Sequence, residues 1–281
     1  MKPKLTIVLA RARDDEEIRR QQEDTLRKRF SGRPGMELVI TPHLYDLENG
    51  TPVGALLQST PGDMAVFAWL PTRATYWVLR AMGVEGEPGA WPPSFAKKDQ
   101  VSRRRIWCVD FRADDPSEAG LTKLEEFLNS LPDEAAESTA SAPRVVEEPV
   151  RPRWYPVVDV DRCVHCLECL NFCLFGVYGV DENDRLLIEE PDACRPGCPA
   201  CARVCPAGAI LFPEHADPTI AGDAEAPAAM KLDLSQLMAG LDPAEVATAE
   251  RDRARAEKRK ETSSREGNLD RLVDELEDLE L

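Results

Sequence analysis

Over the first 131 residues, short apolar runs alternate with stretches whose apolar residues recur at helical spacing, the pattern of β-α units stacked on a mainly parallel sheet. Four runs have strand length and are apolar enough to be buried on both faces: Leu5 to Ala10, Glu37 to Thr41, Met64 to Leu70 and Ile106 to Phe111. Asp14 is placed to cap a helix reaching Phe30, with Ile18, Leu26 and Phe30 as a sparse apolar side. Thr72 is placed to cap a second helix carrying Tyr76, Trp77, Leu79 and Met82, which Gly83 can stop. A third starts at Asp115-Pro116 and spaces Leu121, Leu124, Phe127 and Leu128 along one face.

Between these elements the periodicity fails in informative places. The Gly/Pro-rich stretch from Gly83 to Arg105 is long for a connection inside a compact domain, and reads as a lid or a mobile loop. Residues 132–153 and 214–230 are rich in Ala, Pro and acidic residues that cannot bury enough apolar area to order themselves, so both read as linkers. Residues 231–281 read as a helical, partly disordered tail. Within it Leu269, Leu272, Val273, Leu276 and Leu279 form an apolar stripe running to Leu281, suited to helix docking on this chain or a partner, against the alternative of a solvated end.

Charge narrows the partners. A net charge of -16 repels nucleic-acid phosphates and anionic lipid, so a partner chosen by charge should present a basic docking patch. No stretch of the sequence approaches the roughly 20 apolar residues of a membrane span, and the first residues lack the pattern of an export signal. The expected location is cytoplasmic. There, the nine cysteines are more readily metal ligands than disulfides. Cys108, inside the apolar run Ile106-Trp107-Cys108-Val109, reads as a buried small hydrophobe.

The other cysteines carry the chemistry. Cys163, Cys166 and Cys169 are followed by Cys173 in a C-x2-C-x2-C-x3-C run, and Cys194, Cys198, Cys201 and Cys205 repeat it with one extra residue in the first gap. Three thiolates within seven residues can reach three corners of an iron-sulfur cube while backbone N-H groups offset the negative charge. Zinc is the competing metal, but its all-cysteine sites normally use two separated pairs without a third thiolate so close. His165, inside the first loop, is read as lying outside the ligand set because four cysteines are already present.

Residues 154–213 resemble the bacterial two-[4Fe-4S] ferredoxin family, down to Cys205-Pro206-Ala207-Gly208-Ala209-Ile210 after the last ligand. The sequence departs from it at Leu174, where the family usually has proline, and in the longer second loop. The resemblance implies two [4Fe-4S] clusters with crossed ligation. Cys163, Cys166, Cys169 and Cys205 would hold one, and Cys194, Cys198, Cys201 and Cys173 the other. Tyr155 to Val160 and Arg185 to Glu189 read as strands, with Asp181 to Asp184 as a turn. The fold class expected is multidomain α/β plus α+β: a parallel sheet domain, a ferredoxin-like dicluster domain and a helical tail.

No nucleotide, zinc-protease or nucleophile-elbow motif occurs in the N-terminal domain. Residues following its strands, namely Arg11, Arg13, His43, Tyr45, Asp46, Thr72, Arg73, Asp110 and Arg112, could line a pocket or form a solvated rim. The function expected is an iron-sulfur electron carrier or electron-transfer subunit serving a redox partner protein. The alternative is an oxidoreductase subunit whose α/β domain binds a substrate or flavin and is fed electrons by the clusters.

Overall fold

In the computed structural model, residues 5–33, 35–48, 50–89, 104–112, 126 and 142–223 are described. Residues Met1–Lys231 form one compact unit. The expected helix from Asp115, residues 90–103 of the Gly/Pro-rich loop, and the whole tail with its leucine stripe lie outside the described residues.

The α/β part is a six-stranded sheet whose neighbouring strands all run parallel. In chain order its strands are β1 (Leu5–Ala10), β2 (Met36–Thr41), β3 (Asp63–Ala68), β4 (Glu87–Gly89), β5 (Arg105–Asp110) and β6 (Arg144–Val145). In space they run β4-β5-β3-β1-β2-β6. The four central strands match the apolar runs within a few residues. Alternation of side chains across each strand divides the core in two. Ile7, Leu9, Leu38, Ile40 and Phe67 face α1 (Glu17–Phe30), which buries Leu26 and Phe30 but leaves Ile18 64% exposed, against expectation. Val8, Ala10, Met64 and Val66 face α2 (Pro52–Ser59) and α3 (Thr72–Ala81).

Several elements fall outside the sequence expectations, among them a short helix over Pro218–Ala221, inside the second stretch read as a linker, which buries Ile220 and Ala221. Helix α2 starts from Thr51, whose side chain accepts from Gly54 N at 3.3 Å, with Pro52 in the first turn. Strand β4 lies inside the stretch read as a lid. Strand β6 lies inside the stretch read as a linker, where Val146 N donates to Ile40 O at 2.9 Å. Both short strands sit on sheet edges and are held by backbone pairing, which needs little apolar composition.

The second part is built on two small antiparallel pairs. β7 (Val157–Val158) pairs with β10 (Ile210–Leu211), and β8 (Tyr178–Val180) with β9 (Leu186–Ile188). The β8-β9 turn is closed by Asp181, whose Oδ1 accepts from Asn183 N at 2.8 Å and Arg185 N at 2.9 Å. Two five-residue helices, α4 (Glu168–Phe172) and α5 (Ala200–Val204), carry the cysteine loops, and α6 (Pro218–Ala221) ends the described chain. Gly222, at φ +99°, closes α6 where an added Cβ would lie 3.3 Å from Ala74 Cβ on α3, so the turn needs glycine on both counts.

The two parts share a core. Tyr155, Val157 and Leu211 are buried among the α2 and α3 side chains. Tyr45 stacks on Tyr155 with ring centroids 4.4 Å apart, and its hydroxyl both accepts from Tyr155 N at 2.8 Å and donates to Tyr155 O. Tyr45→Phe should therefore destabilise the protein by about 1 to 3 kcal/mol, because two backbone groups are left buried without a partner. Denaturant unfolding of the anaerobic protein checks this, and an unchanged midpoint would count against a shared core at this point.

Candidate metal centre

The first cysteine loop hangs from Asp159, whose carbonyl accepts from Cys163 N at 3.0 Å. His165 and Leu167 adopt left-handed backbone at φ +52° and +61°, a conformation costly for residues with a side chain. With these turns Cys163, Cys166 and Cys169 come to line one cavity beside α4. In the second loop the extra residue permits a cheaper turn, because Gly197 takes the left-handed position at φ +76°.

The fourth cysteine of each run occupies the same place in its half. Cys173 N donates to Cys169 O at 3.0 Å at the end of α4, and Cys205 N to Cys201 O at 3.1 Å at the end of α5. From there each points away from its own loop. Cys173 lines a cavity of about 480 Å³ with Cys194, Cys198 and Cys201, among Phe172, Leu174, Phe175 and Val177. Cys205 lines a second, far smaller cavity of about 20 Å³ with Cys163, Cys166 and Cys169, among Val164, Leu186, Ala209 and Ile210. Among the described residues, no group of three or more Cys, His, Asp or Glu side chains is gathered as a site for a metal ion.

Burial sets the thiol chemistry. Cys169, Cys194, Cys201 and Cys205 are buried, Cys163, Cys173 and Cys198 half-buried, and Cys166 exposed. Desolvation pushes the thiols of Cys169, Cys194 and Cys201 up to about 12, and the other cysteines around each push the same way. As free thiols these three are protonated at neutral pH, so a metal bound here would have to displace their protons. Ala209 N already points at Cys205 Sγ, 3.3 Å away. Tyr178 is buried with its hydroxyl directed at the Cys201 sulfur, with which it interacts, although no hydrogen bond of normal geometry satisfies it among the described residues.

The remaining sequence candidates serve other ends. His165 is exposed, and its Nδ1 accepts from Leu186 N at 3.3 Å, tying the first loop to β9. Cys108 is buried in the α/β core, which pushes its thiol far up. Of the residues that follow the strands, Asp110 and Arg112 pair with each other at 2.9 Å, and Arg11 reaches Glu147 at 2.9 Å. Arg13, His43, Tyr45, Asp46 and Arg73 are drawn into the junction with the cysteine-bearing part. Arg13 Nε bonds Asp46 Oδ2 at 2.9 Å, and His43 Nε2 lies 3.4 Å from Glu214 Oε1. Burial first, then the Arg13 charge, holds His43 down to about 4, so its ring is neutral at pH 7. Arg73 Nε bonds Asp159 Oδ2 at 2.6 Å, and Thr72 begins α3 beside it.

Residues from the second part complete this junction, and the sequence reading did not single them out. Arg153 donates from its backbone N to Asp46 at 3.0 Å and from its guanidinium to Asp192 at 2.9 and 3.0 Å, while lying 4.4 Å over the Tyr155 ring. Trp154 stacks on Phe212 with centroids 5.2 Å apart and donates to Cys198 O at 3.1 Å, linking the junction to the second cysteine loop. The dense aromatic-cationic run Arg153-Trp154-Tyr155 was the available signal.

No family model matches the chain. Curated relatives match limited stretches of it. An uncharacterised ferredoxin of Methanocaldococcus jannaschii is 39% identical over 66 residues, 23% of this chain and 44% of that protein. Pyruvate synthase subunit PorD of the same organism is 40% identical over 55 residues, 20% of this chain and 62% of PorD. Indolepyruvate oxidoreductase subunit IorA of Methanothermobacter marburgensis is 47% identical over 53 residues, 19% of this chain and 8% of IorA. The chain thus spans less than two thirds of each of these relatives. The matches support a ferredoxin-like iron-sulfur domain with an electron-transfer role, and leave the N-terminal domain unidentified. No helix among the described residues is long and apolar enough to cross a membrane.

Proposed function

We propose that the chain carries two [4Fe-4S] clusters and passes single electrons to or from a redox partner protein. Cys163, Cys166, Cys169 and Cys205 hold one cluster, and Cys194, Cys198, Cys201 and Cys173 hold the other. The observation that carries the proposal is the exchange of fourth cysteines, since each cavity is lined by three thiols from one run and the last thiol of the other. When bound, such clusters supply reversible one-electron storage. The protein's own part is to present four thiolates per site, keep water away with apolar walls, and hold the two sites rigidly through Trp154 and the shared core. The α/β domain acts as a platform, because the residues at its strand ends that could form a pocket are largely engaged in the junction.

The partner is a protein with a basic docking patch, attracted by the net charge of -16. Two of the relatives are named as subunits, which is consistent with work in a larger assembly. Iron and acid-labile sulfide measured on anaerobically prepared full-length protein test the reading. About eight of each per chain is the expected result for two such clusters. Stoichiometric zinc without sulfide would overturn it.

A further inference from the structure

The two cysteine runs remain in register beyond their last ligands. Cys173-Leu174-Phe175-Gly176-Val177-Tyr178 aligns with Cys205-Pro206-Ala207-Gly208-Ala209-Ile210. The backbone follows the same alignment: Gly176 and Gly208 are both left-handed, at φ +68° and +57°, and β8 and β10 begin at Tyr178 and Ile210. Tyr178 lines the cavity of Cys173, Cys194, Cys198 and Cys201, and Ile210 lines the other. Equivalent positions therefore put a phenol on one site and a hydrocarbon on its twin.

Both side chains are buried, at 5% and 3% exposure, so solvent does not account for the hydroxyl. Native proteins rarely leave a buried hydroxyl without a full hydrogen bond, and this one makes none of normal geometry among the described residues. The hydroxyl faces the sulfur of Cys201, with those of Cys169 and Cys173 also close. A neutral thiol is a weak acceptor, whereas a thiolate accepts a charge-assisted bond.

We propose that Tyr178 is a positioning residue that donates a hydrogen bond to the Cys201 sulfur once that sulfur is a metal-bound thiolate, raising the reduction potential of that site. This rests on the iron-sulfur reading above. An added electron increases the negative charge on the sulfurs, so a donor aimed at one of them stabilises the reduced state more than the oxidised. The other site has its own donor in Ala209 N, so each site is compared with itself across variants.

The test is an EPR-monitored redox titration of full-length anaerobic protein, wild type against Tyr178→Phe. One midpoint should fall while the other stays. The expected size is about tenfold in the ratio of reduced to oxidised cluster at fixed potential, or about 59 mV for one electron. A ring-fluorinated tyrosine at position 178, a stronger donor of nearly the same shape, should move the same midpoint upward, and it keeps the test open if the phenylalanine variant folds poorly. Two unmoved midpoints, or two that shift together, would overturn this inference while leaving the clusters in place. Wild-type protein without iron and sulfide would instead remove the reading beneath it.

Discussion

Cys173→Ala should damage the cluster of the other cysteine run, and combinations of variants test it. Cys173 lies in sequence beside Cys169, yet the cavity it lines is that of Cys194, Cys198 and Cys201. If Cys173 and Cys198 serve one cluster, Cys173→Ala combined with Cys198→Ala costs no more than that cluster, and about four irons stay in the chain. Cys173→Ala combined with Cys166→Ala strikes both clusters and should leave little intact. Iron analysis with EPR of the reduced variants reads the outcome. Survival of one intact cluster in the second combination, with none in the first, would mean that each run ligates its own.

Arg73→Met should cost about 3 kcal/mol of stability, the low end of what breaking a buried ion pair costs. Arg73 reaches from the first turn of α3 to Asp159 Oδ2 at 2.6 Å, and its Nη2 donates to Gly208 O at 2.9 Å. The side chains are only 12% and 5% exposed, so the variant strands a carboxylate away from water. Arg162 Nε, 3.6 Å from the same carboxylate and 52% exposed, offers partial compensation, which is why the low end applies. The same Asp159 carries the backbone of the first cysteine loop, so weakened stability should be accompanied by faster loss of the cluster absorbance. Urea unfolding of the anaerobic holoprotein measures the effect. A loss under about 1 kcal/mol would mean that the pair behaves like an exposed one.

The parts of this molecule that announce themselves in sequence do so through periodicity or ligand spacing. β1, β2, β3 and β5 are continuous apolar runs because a parallel strand is covered on both faces, and α3 forms where its pattern suggests, although Pro71 and not Thr72 stands at its cap. The eight cysteines are legible because cluster ligation fixes their spacing. β4 and β6 escape notice because edge strands of two or three residues are held by backbone hydrogen bonds, on which composition has little bearing. Helix α2 left a readable signal in Thr51-Pro52, a cap followed by proline.

The junction was hidden for a different reason. Arg13, Asp46 and Arg73 look in sequence like ordinary surface charges until Arg153 and Asp159, from beyond residue 150, arrive to bond with them. No local pattern encodes such a meeting. Residues that could have lined a pocket at the strand ends thereby become the seat on which the cysteine-bearing part rests.

EPR of the fully reduced full-length protein bears most directly on the proposal of two adjacent clusters. Two reduced centres this close should couple, giving a broadened spectrum that differs from the sum of two isolated signals and integrates to about two spins per chain, one for each cluster. A single uncoupled signal of one spin, or a silent protein holding zinc, would contradict it.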